Sequence, residues 1–350
     1  MDRTTGRGHH IRGVEAERSR CRASIPFLIQ GPVPSLRKGL DGARSNEPEE
    51  NRMAAEIISG TELARTIRAE VKKGVEELEK AVGEPPGLAT ILVGDNPASQ
   101  SYVKMKQRAA QEVGMYSRQI DLEVDVTEDE LLGWIEGLNA DPAVHGILVQ
   151  LPLPDHIHKT RILEAVHPAK DVDGFHPINV GRLNVGHPEV LVPCTPLGIA
   201  ELLVRSGVET RGQHAVVIGR SNIVGKPMSA LLLGLGRGGN ATVTVTHLLT
   251  RNLAEHTRMA DILIVAAGHP HLVTAGMVKP GAVVIDVGVN RVEDSTRERG
   301  YRITGDVDFE AVREVASAIT PVPGGVGPMT IAMLLSNTLK AARALGVPVA

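Results

Sequence analysis

The chain has 350 residues, of which 42% are hydrophobic, 23% charged and only 2% aromatic, and its formal net charge is −3. That length allows two domains and a sizeable core. The near-neutral charge gives no electrostatic ground for a nucleic-acid or membrane-surface partner, and no apolar run approaches the roughly 18 residues of a membrane span. Two cysteines, Cys21 and Cys194, lie too far apart to suggest a disulfide framework, so a reducing compartment is the expectation.

Residues 1–52 read as a disordered or weakly structured extension: scattered Arg, Gly, Pro and Ser, no sustained periodicity, and one short apolar patch at Ile25–Gln30. Glu15 and Glu17 sit badly with an acid-poor transit peptide, and a third reading takes Met53 as the true start. From there the punctuation is regular. Ser59-Gly-Thr-Glu62 is a capping box opening a helix to about Val82. Gly87–Gly94 is a glycine-bounded aliphatic run, a buried strand, followed by a helix through Tyr102 and Lys106 and a more polar strand near Ser117–Val124. A second capping box, Thr127-Glu-Asp-Glu130, opens a helix to about Asn139; Val144–Pro152 is the next strand, and a helix lies near Lys159–Val166. After Pro193-Cys-Thr-Pro196, whose last proline suits a first helical turn, the alternation restarts with strands at His214–Gly219, Ala241–Thr246, Met259–Ala267 and Gly281–Gly288. A core of Val, Leu, Ile and Ala in alternating strands and helices predicts two parallel-sheet α/β domains, the second Rossmann-like.

Five segments carry chemistry. On the helix around residue 106, an advance of about 100° per residue puts Tyr102, Lys106, Ala109 and Val113 in one arc, with Lys104, Gln107, Arg108 and Gln111 opposite. An ammonium among apolar neighbours either snorkels to water or is held inward for a purpose. Gln150 ends a buried strand, so its amide needs a partner, and a buried amine is a plausible one. Lys170-Asp-Val-Asp173-Gly174 is too incomplete for a calcium loop; Asp173 is better read as an acceptor for the donor edge of a heterocycle. Gly219-Arg-Ser-Asn-Ile-Val-Gly225 leaves a strand and enters a helix, where backbone N–H groups suit a pyrophosphate, although an ordinary βα turn would read the same. Arg220 there could meet an adenosine 2′-phosphate. Pro321-Val-Pro-Gly-Gly-Val-Gly-Pro328-Met-Thr330 pairs rigid prolines with glycines that permit close backbone approach to a ligand.

Together, Ser101-Tyr102-x-x-x-Lys106, Gly146–Pro154, Lys170–Gly174, Pro193-x-Thr-Pro196, Gly219–Pro227 and Pro321–Thr330 resemble the bifunctional methylenetetrahydrofolate dehydrogenase/methenyltetrahydrofolate cyclohydrolase family over about Ile57–Leu345. The resemblance implies a folate-binding catalytic domain (53–196 plus 328–350), a NAD(P)-binding Rossmann-like domain (197–327) and a final helix, about Met329–Leu345, returning to the first. It implies Tyr102 packing on the folate aminobenzoyl group, Lys106 as the central catalytic residue, Gln150 as its amide partner and Asp173 on the pterin edge. Gly219, Arg220, Ser221 and Val289 carry over as cofactor contacts, and Pro323, Gly324 and Gly325 as substrate contacts. The implied ligands are tetrahydrofolate derivatives and NADP rather than NAD, with no metal; the implied setting is a cytoplasmic homodimer supplying one-carbon units to purine biosynthesis.

The chain departs from the family pattern after the second strand of the cofactor domain. His247 is followed by Leu248-Leu249-Thr250, where family members often carry Ser or Arg, so one expected contact to a 2′-phosphate is missing and Arg237 or Arg251 would have to compensate. Two alternatives stand beside the bifunctional reading: a dehydrogenase-only homologue, and a non-catalytic nucleotide-sensing protein on the same fold. The presence of Tyr102, Lys106, Gln150 and Asp173 argues against both.

Overall fold

A computed structural model describes residues 54–297 and 300–346. The expected extension over 1–52, the alternative start at Met53 and the last four residues of the expected catalytic domain lie outside the described residues. In chain order the elements are β1 (Glu56–Ile57), α1 (Gly60–Val82), β2 (Gly87–Val93), α2 (Pro97–Glu112), β3 (Tyr116–Leu122), α3 (Glu128–Ala140), β4 (Gly146–Val149), α4 (Lys159–Ala165), α5 (Pro177–Asn184) and α6 (Cys194–Arg205). Then follow β5 (His214–Ile218), α7 (Gly225–Leu233), β6 (Thr242–Thr246), α8 (Leu253–Thr257), β7 (Ile262–Val265), β8 (Val283–Asp286), β9 (Asn290–Glu293), β10 (Tyr301–Thr304), α9 (Phe309–Arg313), β11 (Ala318–Ile319) and α10 (Val326–Gly346).

Local chemistry sets the boundaries. Ser59 Oγ accepts from the Glu62 N–H at 3.4 Å and Thr127 Oγ1 from the Glu130 N–H at 3.2 Å, so both capping boxes start their helices. Asn96 Oδ1 accepts from the N–H groups of Ala98 and Ser99, and Pro97 occupies the first turn of α2, where a missing N–H is no loss. Gly83 ends α1 in the left-handed region at φ 87°.

β2 is the middle of a three-stranded parallel sheet, β3-β2-β4, and every residue of β2 and β4 is buried. The second sheet is six-stranded and parallel, in the order β1-β11-β8-β7-β5-β6; β9 and β10 form a separate antiparallel pair. β5 has β6 on one side and β7 on the other, so the strand order reverses there. The crevice beyond the carboxyl ends of β5 and β7 is where open α/β sheets bind ligands.

Two features differ from the expected organisation. Glu56–Ile57, counted above with residues 53–196, pairs in parallel with β11 and forms an edge of the six-stranded sheet; two residues are too few to carry a periodic signal. The hairpin of β9 and β10 and the short helices α5, α8 and α9 have no counterpart in the sequence reading. α10 returns as expected and packs against α1 and α6. It contributes Leu334, Leu335 and Leu339 to a core shared with Ile67 of α1, Leu202 of α6 and Val217 of β5.

Candidate active site

The buried side of α2 is Ser99, Val103, Lys106, Ala109 and Ala110, with Val113 beyond its end. Lys106, Ala109 and Val113 are therefore inward as their spacing predicts, whereas Tyr102 lies only half-buried at the edge of that face. Lys106 is 8% exposed, and its Nζ donates to Gln150 Oε1 at 3.0 Å. Gln150 leaves β4 with its N–H held by the Ile91 carbonyl at 2.9 Å, and its Nε2 donates to the Leu151 carbonyl at 2.7 Å, just before the cis Leu151–Pro152 bond. With the amide nitrogen committed to the backbone, the amide oxygen is the end that meets the lysine.

The five residues of the Lys170–Gly174 motif divide their labour. Lys170 Nζ donates to the carbonyls of Leu138, Asn139 and Asp141, the open end of α3. Asp171 accepts from the N–H groups of Phe175 and His176 and from Asn179 Nδ2, ordering the entry to α5. Asp171 also bridges Ile147 in parallel, so the segment runs beside β4 toward Gln150. Gly174, at φ 72°, passes so close to Leu191–Pro193 that a Cβ would stand 2.5 Å from Pro193 N. Of the motif's three charged side chains, Asp173 alone is left to face Lys106. Burial pushes the Asp173 carboxyl above the usual carboxylate range, the Lys106 charge opposes that rise, and the Asp171 charge adds to it.

Two residues that the sequence reading left aside complete this end. Cys194, at the start of α6, donates through Sγ to the Val172 carbonyl at 3.2 Å; burial first, and then the Asp173 charge, push its thiol well above the ordinary range. Asn337 of α10 donates to the carbonyls of Val172 and Val192, both at 2.8 Å. A buried Asn in a helix rich in Leu, Met and Ala was the available signal.

Pro323, Gly324 and Gly325 lie at the start of α1. The Thr61 N–H donates to the Gly324 carbonyl at 3.0 Å, and a Cβ on Gly60 would stand 1.7 Å from the Gly325 carbonyl oxygen. The glycines of this loop thus serve close packing on α1, in addition to whatever approach they allow a ligand.

At the other end, Gly219 leaves β5 at φ 130°, its N–H held by the Thr246 carbonyl. A Cβ on Gly219 would stand 2.3 Å from the Ala266 carbonyl oxygen, and one on Gly225 would stand 2.0 Å from the Gly219 carbonyl oxygen. The turn closes only with glycine at both positions. Ser221 Oγ accepts from the Val224 N–H at 3.0 Å, while Arg220 and Ser221 are exposed at the mouth of α7. Val289 follows β8 and is 55% exposed. Leu248, Arg237 and Arg251 are all exposed. None of the amides of residues 220–223 is taken up by a backbone bond among the described residues, which leaves donors at a helix start for an anion.

A buried lysine–amide–carboxylate group on one α/β unit and a glycine-turn crevice on a second define a two-domain dinucleotide-dependent enzyme. Residues 58–173 match the model of the tetrahydrofolate dehydrogenase/cyclohydrolase catalytic domain, and residues 193–345 match that family's NAD(P)-binding domain. The bifunctional protein FolD 1 of Myxococcus xanthus is 58% identical over 289 residues, covering 83% of this chain and 98% of that protein. The crystal structure of the bifunctional FolD enzyme of Campylobacter jejuni is similar with a TM-score of 0.78 at 52% identity, over 83% of this chain and 99% of that one. A Trypanosoma brucei FolD structure, complexed with NADP cofactor and inhibitor, gives a TM-score of 0.79 at 43% identity over 83% and 98%. The chain belongs to the tetrahydrofolate dehydrogenase/cyclohydrolase family.

Proposed function

We propose that this chain oxidises 5,10-methylenetetrahydrofolate to 5,10-methenyltetrahydrofolate with NADP and then hydrolyses that product to 10-formyltetrahydrofolate. The single observation that carries the reading is the Lys106 Nζ to Gln150 Oε1 bond beside Asp173.

The residues at the crevice fit a dinucleotide: the Gly219–Gly225 turn, free amides at the start of α7 for the pyrophosphate, and Arg220 for a 2′-phosphate. When bound, NADP accepts the hydride. The folate nitrogens stabilise the resulting methenyl cation, so the protein's part in oxidation is to hold the methylene carbon in place. Tyr102 packs on the aminobenzoyl ring, Asp173 accepts from the pterin donors, and Pro323, Gly324 and Gly325 line the substrate. Gly219, Arg220, Ser221 and Val289 contact the cofactor.

Hydrolysis adds water to the methenyl carbon, releases one proton and opens the ring. Lys106 Nζ, oriented by Gln150, is the group placed to take that proton from the attacking water.

The domain division at 53–196 plus 328–350 and 197–327, a cytoplasmic location and a homodimeric assembly belong to the same reading. No helix among the described residues is long and apolar enough to cross a membrane. The test is a spectrophotometric assay of purified protein with methylenetetrahydrofolate and NADP or NAD, beside hydrolysis of methenyltetrahydrofolate by the wild type and Lys106→Met. Loss of hydrolysis by about 100-fold or more with retained folate binding is expected; near-normal hydrolysis in the variant sinks the assignment.

A further inference from the structure

Behind the crevice sits a carboxylate that no step above uses. Asp306 follows β10 and is 0% exposed. Its Oδ2 accepts from the N–H groups of Ala267 at 2.7 Å and Gly268 at 2.8 Å. Its Oδ1 accepts from the His269 N–H at 2.9 Å and from Asn290 Nδ2 at 2.8 Å. One side chain therefore holds three consecutive amides of the turn that leaves β7, and the first residue of β9. Asp306 is itself held: its own N–H donates to Asp286 Oδ1 at 3.0 Å, and Asp286 also accepts from the N–H groups of Gly288 and Val307. The two carboxylates fit only because glycines face them. A Cβ on Gly288 would stand 2.4 Å from Asp306, and one on Gly305 would stand 1.8 Å from Asp286.

The consequence for the crevice follows from the peptide group. A trans peptide carries its C=O on the side opposite its N–H. With the N–H groups of Ala267, Gly268 and His269 turned in to Asp306, the carbonyls of Ala266, Ala267 and Gly268 are turned out. The Ala266 carbonyl abuts Gly219, the residue that begins the dinucleotide turn. The next two follow at the carboxyl end of β7, beside the point where the strand order reverses. A rim of backbone acceptors repels phosphate and suits a donor-bearing neutral group: ribose hydroxyls or a carboxamide.

We propose that Asp306 is a positioning residue for the nicotinamide riboside half of the cofactor, acting by turning the 267–269 amides inward and presenting the Ala267 and Gly268 carbonyls to that half. This rests on the reading that NADP occupies the crevice. A carboxylate is required because all four donors converge on two oxygens; an amide offers one acceptor and sets an N–H against another donor.

The test uses Asp306→Asn, with hydrolysis of externally supplied methenyltetrahydrofolate as an internal measure of fold, since that step needs no hydride acceptor. The expected result is a rise of 10-fold or more in the KM for NADP, with kcat lowered less than that and hydrolysis within 2-fold of wild type. A 2′-phosphate-bearing fragment lacking the whole nicotinamide riboside half, adenosine 2′,5′-bisphosphate, should still compete with unchanged affinity. A folded Asp306→Asn with an NADP KM within 2-fold of wild type, or with equal losses for NADP and the fragment, overturns the proposal. Should Asp306→Asn lose both activities, Asn290→Ala decides. It removes one of the four donors, and the same selective rise of at least 3-fold is expected; an unchanged KM overturns the proposal. Failure of the underlying reading looks different, because wild-type protein would then bind neither NADP nor the fragment.

Discussion

Two buried lysines 64 residues apart illustrate how far a side chain's role depends on what surrounds it. Lys106 and Lys170 are 8% and 7% exposed. Lys170 spends its three donors on the last carbonyls of α3, a structural cap, whereas Lys106 has one acceptor from Gln150 and faces Asp173. Lys170→Met should therefore lower unfolding stability by about 2–4 kcal/mol, since it orphans several buried acceptors at once. Lys106→Met should cost less stability while abolishing hydrolysis. Urea unfolding of both variants beside a hydrolysis assay checks this, and the reverse ranking would contradict it. Arg220 is read at the same scale. It is exposed at the mouth of α7, and a guanidinium there gains charge-assisted bonds only when the 2′-phosphate is present. NADP should be preferred over NAD, less strongly than where a polar residue follows the histidine, because Leu248 supplies no bond and one contact of about 1–3 kcal/mol is missing. Arg220→Ala should narrow the preference further. If kcat/KM for the two cofactors differs as much in the variant as in wild type, Arg251 or Arg237 is the reader instead.

Elements meet in this protein through backbone, and glycine marks the meeting points. Gly60 opens α1 against the Gly325 carbonyl, with a Cβ position only 1.7 Å from that oxygen. The obstacle is backbone and cannot swing aside, so Gly60→Ala should cost about 1–3 kcal/mol as the helix start and the 321–325 loop separate. The folate KM should rise with it. A melting temperature and folate KM equal to wild type would show that the loop yields freely. The ends of β8 and β10 are joined by Asp286, whose carboxyl is raised to about 6, mainly by burial and further by the Asp306 charge, against three backbone bonds that lower it. An unfolded carboxyl titrates near 3.9. Between these values the folded chain holds a proton that the unfolded chain has released. The stabilisation is thus fully present below about 3.9 and fades as pH rises through about 6. Melting of wild type and the non-titrating Asp286→Asn from pH 4 to 7 should show the wild type losing ground across that window; a constant difference would refute the assignment.

The whole molecule is held together by pieces distant in sequence. Asn337 on α10 ties Val172 and Val192, 165 and 145 positions away, and so fixes the backbone on either side of Asp173 and Cys194. Asn337→Leu keeps the branched shape but takes a donor from both carbonyls, leaving that of Val172 with the Cys194 thiol alone and that of Val192 unpaired, for about 1–3 kcal/mol. The folate KM should rise while the NADP KM holds. Equal changes in both would mean that α10 supports the fold without setting the folate end. Local chemistry made much of this architecture legible beforehand. Capping boxes, aliphatic runs and glycine boundaries act within a few residues, so α1, α3, β2 and β5 could be located from the chain alone, as could the inward side of Lys106. Gln150 announced a need for a partner, because a buried amide must be satisfied. What escaped the sequence was pairing at a distance. Nothing near Glu56 says that it joins β11, nothing near Lys170 says that its ammonium closes α3, and nothing near Asp306 says that it gathers the amides of 267–269. Periodicity and caps are written in neighbouring residues, whereas the sharing of one carboxylate by two loops is decided only when packing brings their donors together.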